Sequence, residues 1–467
     1  MVGPKYKTPA AITAPAFKEA PPAAFAENDG WKTGQPSDSK LKGDWWTMFG
    51  DDTLNSLELE VDTANQSLKS AEANFRAARA QIGVARSQEA PTIGAAPSIS
   101  TVRDSANQPY FSHTLANNGD GNFTLPVDLN YEIDLWGRIR RGVTSAREQA
   151  AASDADLENA RLSLHAELAM DYFGLRMDDA QTRLLDDTVK AYEAALQLTK
   201  DRFEGGVSPQ SDVSQAQTQL DQARVQRTDL EVQRTQYEHA IAVLIGKPPA
   251  AFTLQPVRED ARSPQLPVVP GLMPSELLER RPDIAGTERR MASANEQIGI
   301  AQAAFYPTLS ISALGGFAGT SALNWFNWPS RFWAVGPSLS QTIFDAGRRR
   351  SEKNITVAQY DGTVADYRQT VLTAFQQVED NLATLRVLSH EAQQQEQATA
   401  SAKQSLDLFQ TRYEGGVDTY LQVVTWQTAA LNNERNDLDI LQRRLDASVL
   451  LIKALGGGWD RSQLPAS

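Results

Sequence analysis

Phe123-Thr124-Leu125-Pro126-Val127-Asp128-Leu129-Asn130-Tyr131-Glu132-Ile133-Asp134-Leu135 alternates apolar and polar side chains with little error. Successive side chains of a β-strand leave on opposite faces, so this pattern sets an apolar row from Phe123 to Leu135 against a row of Thr124, Pro126, Asp128, Asn130, Glu132 and Asp134. Strands of water-soluble folds mostly run about 5–6 residues, whereas a tilted strand that crosses a bilayer takes about 9–11. The length favours a membrane stave. Its polar row, with Asp128, Asn130, Glu132 and Asp134, is then expected to face a water-filled barrel lumen, where carboxylates are tolerated.

The stretch that follows, Trp136-Gly137-Arg138-Ile139-Arg140-Arg141, places an aromatic residue directly before three arginines. Phe344-Asp345-Ala346-Gly347-Arg348-Arg349-Arg350 does the same in the second half, its Gly347-Arg348 falling 210 residues after Gly137-Arg138. Cations are disfavoured at a helix N-terminus, so an external anion is the expected reason for both clusters. Trp136, Arg138, Arg140, Arg141, Arg348, Arg349 and Arg350 are predicted to sit at the membrane interface against lipid phosphates. Companion strands are expected at Ile93 to Val102, Thr308 to Phe317 and Trp333 to Phe344, joined by loops near Arg103 to Asn122 and Ala318 to Phe332. Four strands cannot close a barrel, and an open edge in lipid leaves backbone groups unpaired at several kcal/mol each. The chain must therefore oligomerise; two, three or four copies would give 8, 12 or 16 strands.

The arginine clusters belong to an internal repeat, which has to be recognised before any fold is assigned. Arg202-Phe203-Glu204-Gly205-Gly206-Val207 recurs as Arg412-Tyr413-Glu414-Gly415-Gly416-Val417, and Gln217, Asp229, Arg234 and Gly246 meet Gln427, Asp439, Arg444 and Gly456 at the same offset. Upstream, Gln81-Ile82-Gly83-Val84-Ala85 matches Gln297-Ile298-Gly299-Ile300-Ala301. Each half reads helix, strand, loop, strand, long helix, turn, helix. The expected organisation is an extended Pro/Ala-rich arm over 1–43, a first repeat over 44–246, a Pro-rich connector over 247–274, a second repeat over 275–456 and a tail over 457–467. From Gly137 to about Thr199, and from Gly347 to about Gln410, no proline interrupts the pattern. At 1.5 Å per residue, helices of that length reach roughly 90–100 Å, the scale of a periplasm rather than of a globular domain. The return helices carry narrow seams at spacings of three and four, such as Leu230, Arg234, Tyr237, Ile241 and Leu244.

Composition excludes several classes. The formal charge of −13 argues against a nucleic-acid partner, which requires clustered cations. No run approaches the roughly 18 apolar residues of a membrane-spanning helix, and Met1-Val2-Gly3-Pro4-Lys5-Tyr6 lacks the basic start and apolar run of a signal peptide. Cysteine is absent, and His113, His165, His239 and His390 stand at no metal-ligand spacing. No enzyme, cofactor or metal site is expected, since neither a Ser/His/Asp set nor a phosphate-binding loop is present.

Several motifs together resemble the TolC-like outer membrane efflux protein family, in its NodT-type lipoprotein branch. They are Leu277-Leu278-Glu279-Arg280-Arg281-Pro282-Asp283-Ile284, Gln297 to Ala301, Tyr306-Pro307, Gly3-Pro4-Lys5-Tyr6, Asp134-Leu135-Trp136-Gly137-Arg138 and the two Glu-Gly-Gly-Val turns. The resemblance spans essentially the whole chain. It implies a mixed, mostly helical fold forming a homotrimer, with a 12-stranded β-barrel in the outer membrane and a long periplasmic α-helical barrel. It also implies a periplasmic adaptor and an inner-membrane RND-type pump as partners, and a passive exit duct for small toxic compounds such as drugs and organic acids. A type I protein-secretion duct, a metal-cation route and a periplasmic coiled-coil scaffold are the alternative functions. Members of the lipoprotein branch carry an acylated cysteine before the Gly-Pro start, so a lipid anchor is expected of the native form although this chain holds no cysteine.

The turns lie far from the arginine clusters along the long helices, which places them at the periplasmic end. Gly205, Gly206, Val207, Gly415, Gly416 and Val417 are expected to dock the adaptor, with Arg202, Phe203, Arg412, Tyr413 and Thr425 around the aperture. Where some members of the family carry a gating carboxylate after the tip tyrosine, this chain has Thr425 followed by Trp426.

Overall fold

A computed structural model of the protein describes residues 1–10, 17–19, 43–103, 105, 107, 120–256, 266–267 and 280–457. Most of the expected arm, most of the Pro-rich connector, the Leu277-Leu278-Glu279 motif, His113 and all but the first residue of the tail lie outside the described residues. So does most of the loop from Arg103 to Asn122.

In chain order the elements are α1 (Asp52–Ala64), α2 (Gln66–Ser87), β1 (Thr92–Ala95), β2 (Ser98–Val102), β3 (Asp120–Ile133), α3 (Arg138–Glu204) and α4 (Gln210–Leu244). The second half follows with α5 (Pro282–Ala303), β4 (Thr308–Gly319), β5 (Arg331–Ser340), α6 (Arg348–Glu414) and α7 (Tyr420–Ala454). Helices α3 and α6 are each 67 residues long and α4 and α7 each 35, at a constant offset, because an uninterrupted helix tolerates no insertion. At 1.5 Å per residue the longer pair runs about 100 Å.

Capping explains the starts of α1 and α2. Asp51 Oδ1 accepts from Thr53 and Leu54 N–H at 2.9 and 3.1 Å to begin α1, and Asn65 Oδ1 accepts from Leu68 N–H at 2.9 Å to begin α2. Asn65 also donates to the Leu244 carbonyl at 2.8 Å, tying that junction to the end of α4. Midway along the long helices sits the broadest hydrophobic cluster, with Trp45, Phe49 and Leu54 packed on Tyr172, Phe173, Ile241, Leu445 and Ile452. Away from that belt the helices touch along narrow strips, as the seam spacing predicts, and α6 keeps most of its surface in solvent.

The five strands form one antiparallel sheet in the order β1–β3–β4–β5, with β2 also paired to β3. The expected stave from Ile93 to Val102 is thus two strands. Register runs on through the break, from Ala95 opposite Val127 to Ser98 opposite Thr124, and the ladder lapses where Pro126, whose carbonyl accepts from Ala96 N–H at 3.3 Å, has no N–H to return. The stave expected to reach Phe344 ends at Ser340, since its partner β4 begins at Thr308, opposite Ser340. Strand β3 ends at Ile133, so Asp134 and Leu135 belong to the turn before α3.

Candidate functional site

The register divides the sheet into two chemically opposed faces. Leu129 stands opposite Ile93 and Ala313, and Ala313 opposite Val335; Val127 stands opposite Gly315, and Gly315 opposite Trp333; Tyr131, Ile311 and Pro337 follow in the same row. Over these positions the face is apolar across β1, β3, β4 and β5 and uncovered in the single chain, where Trp333 is 76% exposed. The other face holds a polar network. Ser310 and Ser338 hydroxyls lie 2.8 Å apart, Ser98 and Thr124 hydroxyls 2.7 Å apart, Ser312 donates to Asn130 Oδ1 at 3.1 Å, and Asn130 Nδ2 donates to Asp128 at 3.0 Å. Apolar outside and hydrogen-bonding inside is the pattern of a barrel wall between lipid and water.

The junctions below the sheet differ from the expected anion sites. Arg138 forms a fork with Glu132 at 3.0 and 2.8 Å, and Arg140 binds Asp134, whose carboxylate also accepts the Arg140 N–H at 2.9 Å. Arg349 Nε donates to Asp345 at 2.5 Å and Arg348 stands 3.7 Å from Glu352. Carboxylates of the chain itself therefore balance the cations at these helix starts. Arg350 is exposed. Arg141 is a correction: it is 5% exposed, paired with Glu296 at 2.6 Å, and donates to the Val2 and Pro4 carbonyls at 2.7 and 3.2 Å, so no lipid phosphate reaches it. It fastens the start of the chain against α5, where Gly3 (φ +109°) and Gly299 make room for it. Asp134 is corrected likewise, from lumen row to helix start. Trp136 is half-buried, stacked on Tyr306 at 4.6 Å with its Nε1 donating to the Pro307 carbonyl at 2.8 Å. The 467 residues contain no cysteine.

At the far end each long helix closes with the same turn. Val207 N–H donates to the Arg202 carbonyl at 2.8 Å and Val417 N–H to the Arg412 carbonyl at 2.9 Å, while Gly206 and Gly416 take φ of +71° and +72°. This is a Schellman cap, in which the residue after the helix must enter the left-handed region. Gly205 and Gly415 keep helical φ of −72° and −73° and meet no such demand. Val207 and Val417 protrude into solvent, 68% and 71% exposed.

Behind the turns the two repeats part company. Phe203 is exposed, whereas its counterpart Tyr413 is 4% exposed and packs on Tyr420 at 5.3 Å within a cluster that includes Tyr192, Leu220 and Val423. Arg412 is held inside its own turn by Asp418 at 2.9 Å; the equivalent residue in the first turn is Ser208. Arg202 instead reaches across to the second hairpin, lying over the Tyr413 ring and donating to the Glu414 carbonyl. Thr425, itself exposed on α7, donates to the Leu421 carbonyl at 2.8 Å. Sequence reading grouped Arg202 and Tyr413 without finding their contact; the Ser208/Asp418 difference between repeats was the available signal.

Sequence reading also missed a buried ionic knot at the belt. His165 lies between Glu58, 2.6 Å from Nδ1, and Asp62, 3.3 Å from Nε2, with Trp46 stacked on the imidazole at 4.4 Å. Burial pulls the imidazole pKa down, but hydrogen bonds to Asp62 and Glu58 overcome it and raise the value to about 9. Burial raises Glu58 to about 7, while the His165 hydrogen bond draws Asp62 down. The cluster joins α1 to α3.

The family model described as "Outer membrane efflux protein" matches residues 60–247 and 273–457. The toluene efflux pump outer membrane protein TtgC of Pseudomonas putida is 31% identical over 98% of this chain and 92% of its own length. Outer membrane protein OprJ of Pseudomonas aeruginosa is 32% identical over 90% of this chain and 87% of its own. Among solved structures, that of the outer-membrane channel OprN superposes with a TM-score of 0.87 at 28% identity, covering 98% of this chain and 99% of the other.

Proposed function

The chain belongs to the outer membrane efflux protein family, and on that premise we propose that three copies close a 12-stranded barrel and serve as the exit duct of a tripartite efflux pump. The observation that carries this reading is the two-faced sheet. Strand β5 ends the sheet on one side and β1 and β2 on the other, with apolar residues such as Ile93, Val127, Trp333 and Val335 exposed on one face. In a bilayer such edges must pair with further copies of the chain. The polar face then lines a wet lumen continuous with a tube built from α3, α4, α6 and α7.

Relatives named for toluene and antibiotic efflux support small apolar and amphipathic compounds as the cargo. A duct with a wide polar wall leaves selection and energy to an inner-membrane RND-type pump and its periplasmic adaptor. Gly205, Gly206, Val207, Gly415, Gly416 and Val417 supply the tip such an adaptor would engage, and the exposed Val207 and Val417 give it apolar contacts. Arg202 and Tyr413 hold the two hairpins together near the aperture, with Phe203, Arg412 and Thr425 around them. Glu132 and Arg138 brace the strand-helix junction beside the membrane.

The test is complementation. In a host deleted for its own outer-membrane channels, the chain expressed with an adaptor and pump of the toluene or antibiotic systems restores growth in those compounds. Correctly inserted protein that leaves the host fully susceptible overturns the reading.

A further inference from the structure

We propose that the outward face of the sheet binds an outer-leaflet lipid of the lipid A type, one acyl chain lying in a trough over Ala313 and Gly315 and a phosphate resting on Arg331. The inference rests on the barrel reading above.

The trough is an open depression of about 490 Å³ on the apolar face, flanked by Val127 and Leu129 on one side and Trp333 and Val335 on the other. Its floor exists because two successive outward positions of β4 carry at most a methyl group. The backbone does not require this at Gly315. A Cβ there would meet its nearest neighbour, the Phe332 carbonyl oxygen, at 3.7 Å, ordinary contact, whereas one on Gly316 would strike the Leu125 carbonyl oxygen at 2.0 Å. Gly316 serves strand packing; Gly315 serves the empty space above it.

One cation interrupts the apolar row. Arg331 stands on the same face, two residues from Trp333 toward the loop and opposite Phe317, so its Cα is about 7 Å beyond the trough. Its guanidinium lies 3.9 Å from the Trp328 ring centroid, and Nη1 donates to the Trp328 carbonyl at 3.0 Å. That anchor occupies part of a five-donor fork, and a phosphate is the anion whose geometry suits the remainder. The loop end of the sheet is opposite the long helices, hence the outer leaflet. Neighbouring aromatics mark the interface there, with Trp325 against Phe123 at 5.6 Å and Phe326 against Phe317 at 5.9 Å. An acyl trough with a cation at its outer end complements an acylated lipid whose phosphate sits at the same level.

Native mass spectrometry of the delipidated trimer, titrated separately with purified lipid A and with phosphatidylglycerol, tests this. Wild type should show a lipid A adduct. Gly315→Val, which fills the trough, and Arg331→Gln, which removes the charge, should each reduce it about tenfold, as for loss of one charge-assisted or well-packed contact. Arg331→Lys, which keeps the charge but not the planar fork, should fall between wild type and Arg331→Gln. Equal adducts in wild type and both variants, or equal binding of phosphatidylglycerol by wild type, would overturn the proposal. Trimer migration and single-channel conductance are read on the same samples and should match wild type; a wild-type chain that forms neither trimer nor channel would instead refute the barrel reading.

Discussion

The guanidinium of Arg202 lies 4.7 Å from the ring centroid of Tyr413, and its Nη1 donates to the Glu414 carbonyl at 3.2 Å. One side chain of the first hairpin thus binds the second at the tip. A cation–π contact of this kind is worth about 0.5–2 kcal/mol. Removing it with Arg202→Ala should shift the tip toward open by roughly two- to thirtyfold, read as a higher single-channel conductance or open probability in planar bilayers. Unchanged traces would place the constriction elsewhere.

The Tyr413 hydroxyl is buried and accepts or donates no hydrogen bond in the single chain. Replacing a group left unsatisfied costs little, and its desolvation is recovered. Tyr413→Phe should therefore keep both the ring contact with Arg202 and the closed conductance, while Tyr413→Ala removes the ring and raises conductance as Arg202→Ala does. A leaky Tyr413→Phe channel would show that the hydroxyl bonds a partner in the assembled tube.

Glycines separate by geometry rather than by position in the repeat. Gly246 (φ +67°) would bring a Cβ within 2.4 Å of the Ala64 carbonyl oxygen, and Gly456 (φ +93°) within 2.7 Å of that of Arg280. Alanine at either should cost about 1–3 kcal/mol. Gly362, exposed on α6 with nothing near its missing Cβ, should gain about 0.5–1 kcal/mol on the same change. Thermal unfolding of the detergent-solubilised protein would order the three variants. A stabilised Gly246→Ala would contradict the assigned backbone.

The His165 knot makes stability depend on pH with a definite sign. The folded imidazole titrates at about 9 against 6.5 for an ordinary histidine, so its contribution is complete below pH 6.5 and is lost as pH rises through 9. Glu58, raised to about 7, acts in the same direction, since its neutral form is favoured in the fold. The melting temperature should fall between pH 6.5 and 9, and the double variant Glu58→Gln with His165→Gln should flatten that profile. An equal slope in wild type and variant would show that the knot is not the titrating element.

Much of this architecture is legible in the chain because its periods are local. The alternation from Phe123 to Ile133 and the uninterrupted helices from Arg138 and Arg348 need no knowledge of distant partners. What escaped depends on distance. Arg141 reads like Arg138 and Arg140, yet Glu296 on α5 and the carbonyls of Val2 and Pro4 bury it. Phe203 and Tyr413 occupy matching positions, but the packing between hairpins decides that one is exposed and the other enclosed. Asp134 continues the alternation in sequence and leaves the strand in space, because capping the start of α3 at Arg140 requires it there.

Because these 467 residues contain no cysteine, the account's central claim, that the sheet is a barrel wall with lipid on one face and water on the other, can be tested with single introduced thiols. Asp128→Cys and Ser312→Cys belong to the polar face, Val127→Cys and Val335→Cys to the apolar one. Treated in intact outer membranes with a small, charged, membrane-impermeant maleimide, the first pair should label and the second remain unmodified until detergent is added. Equal labelling of all four positions in the membrane, or labelling of the apolar pair alone, would contradict it.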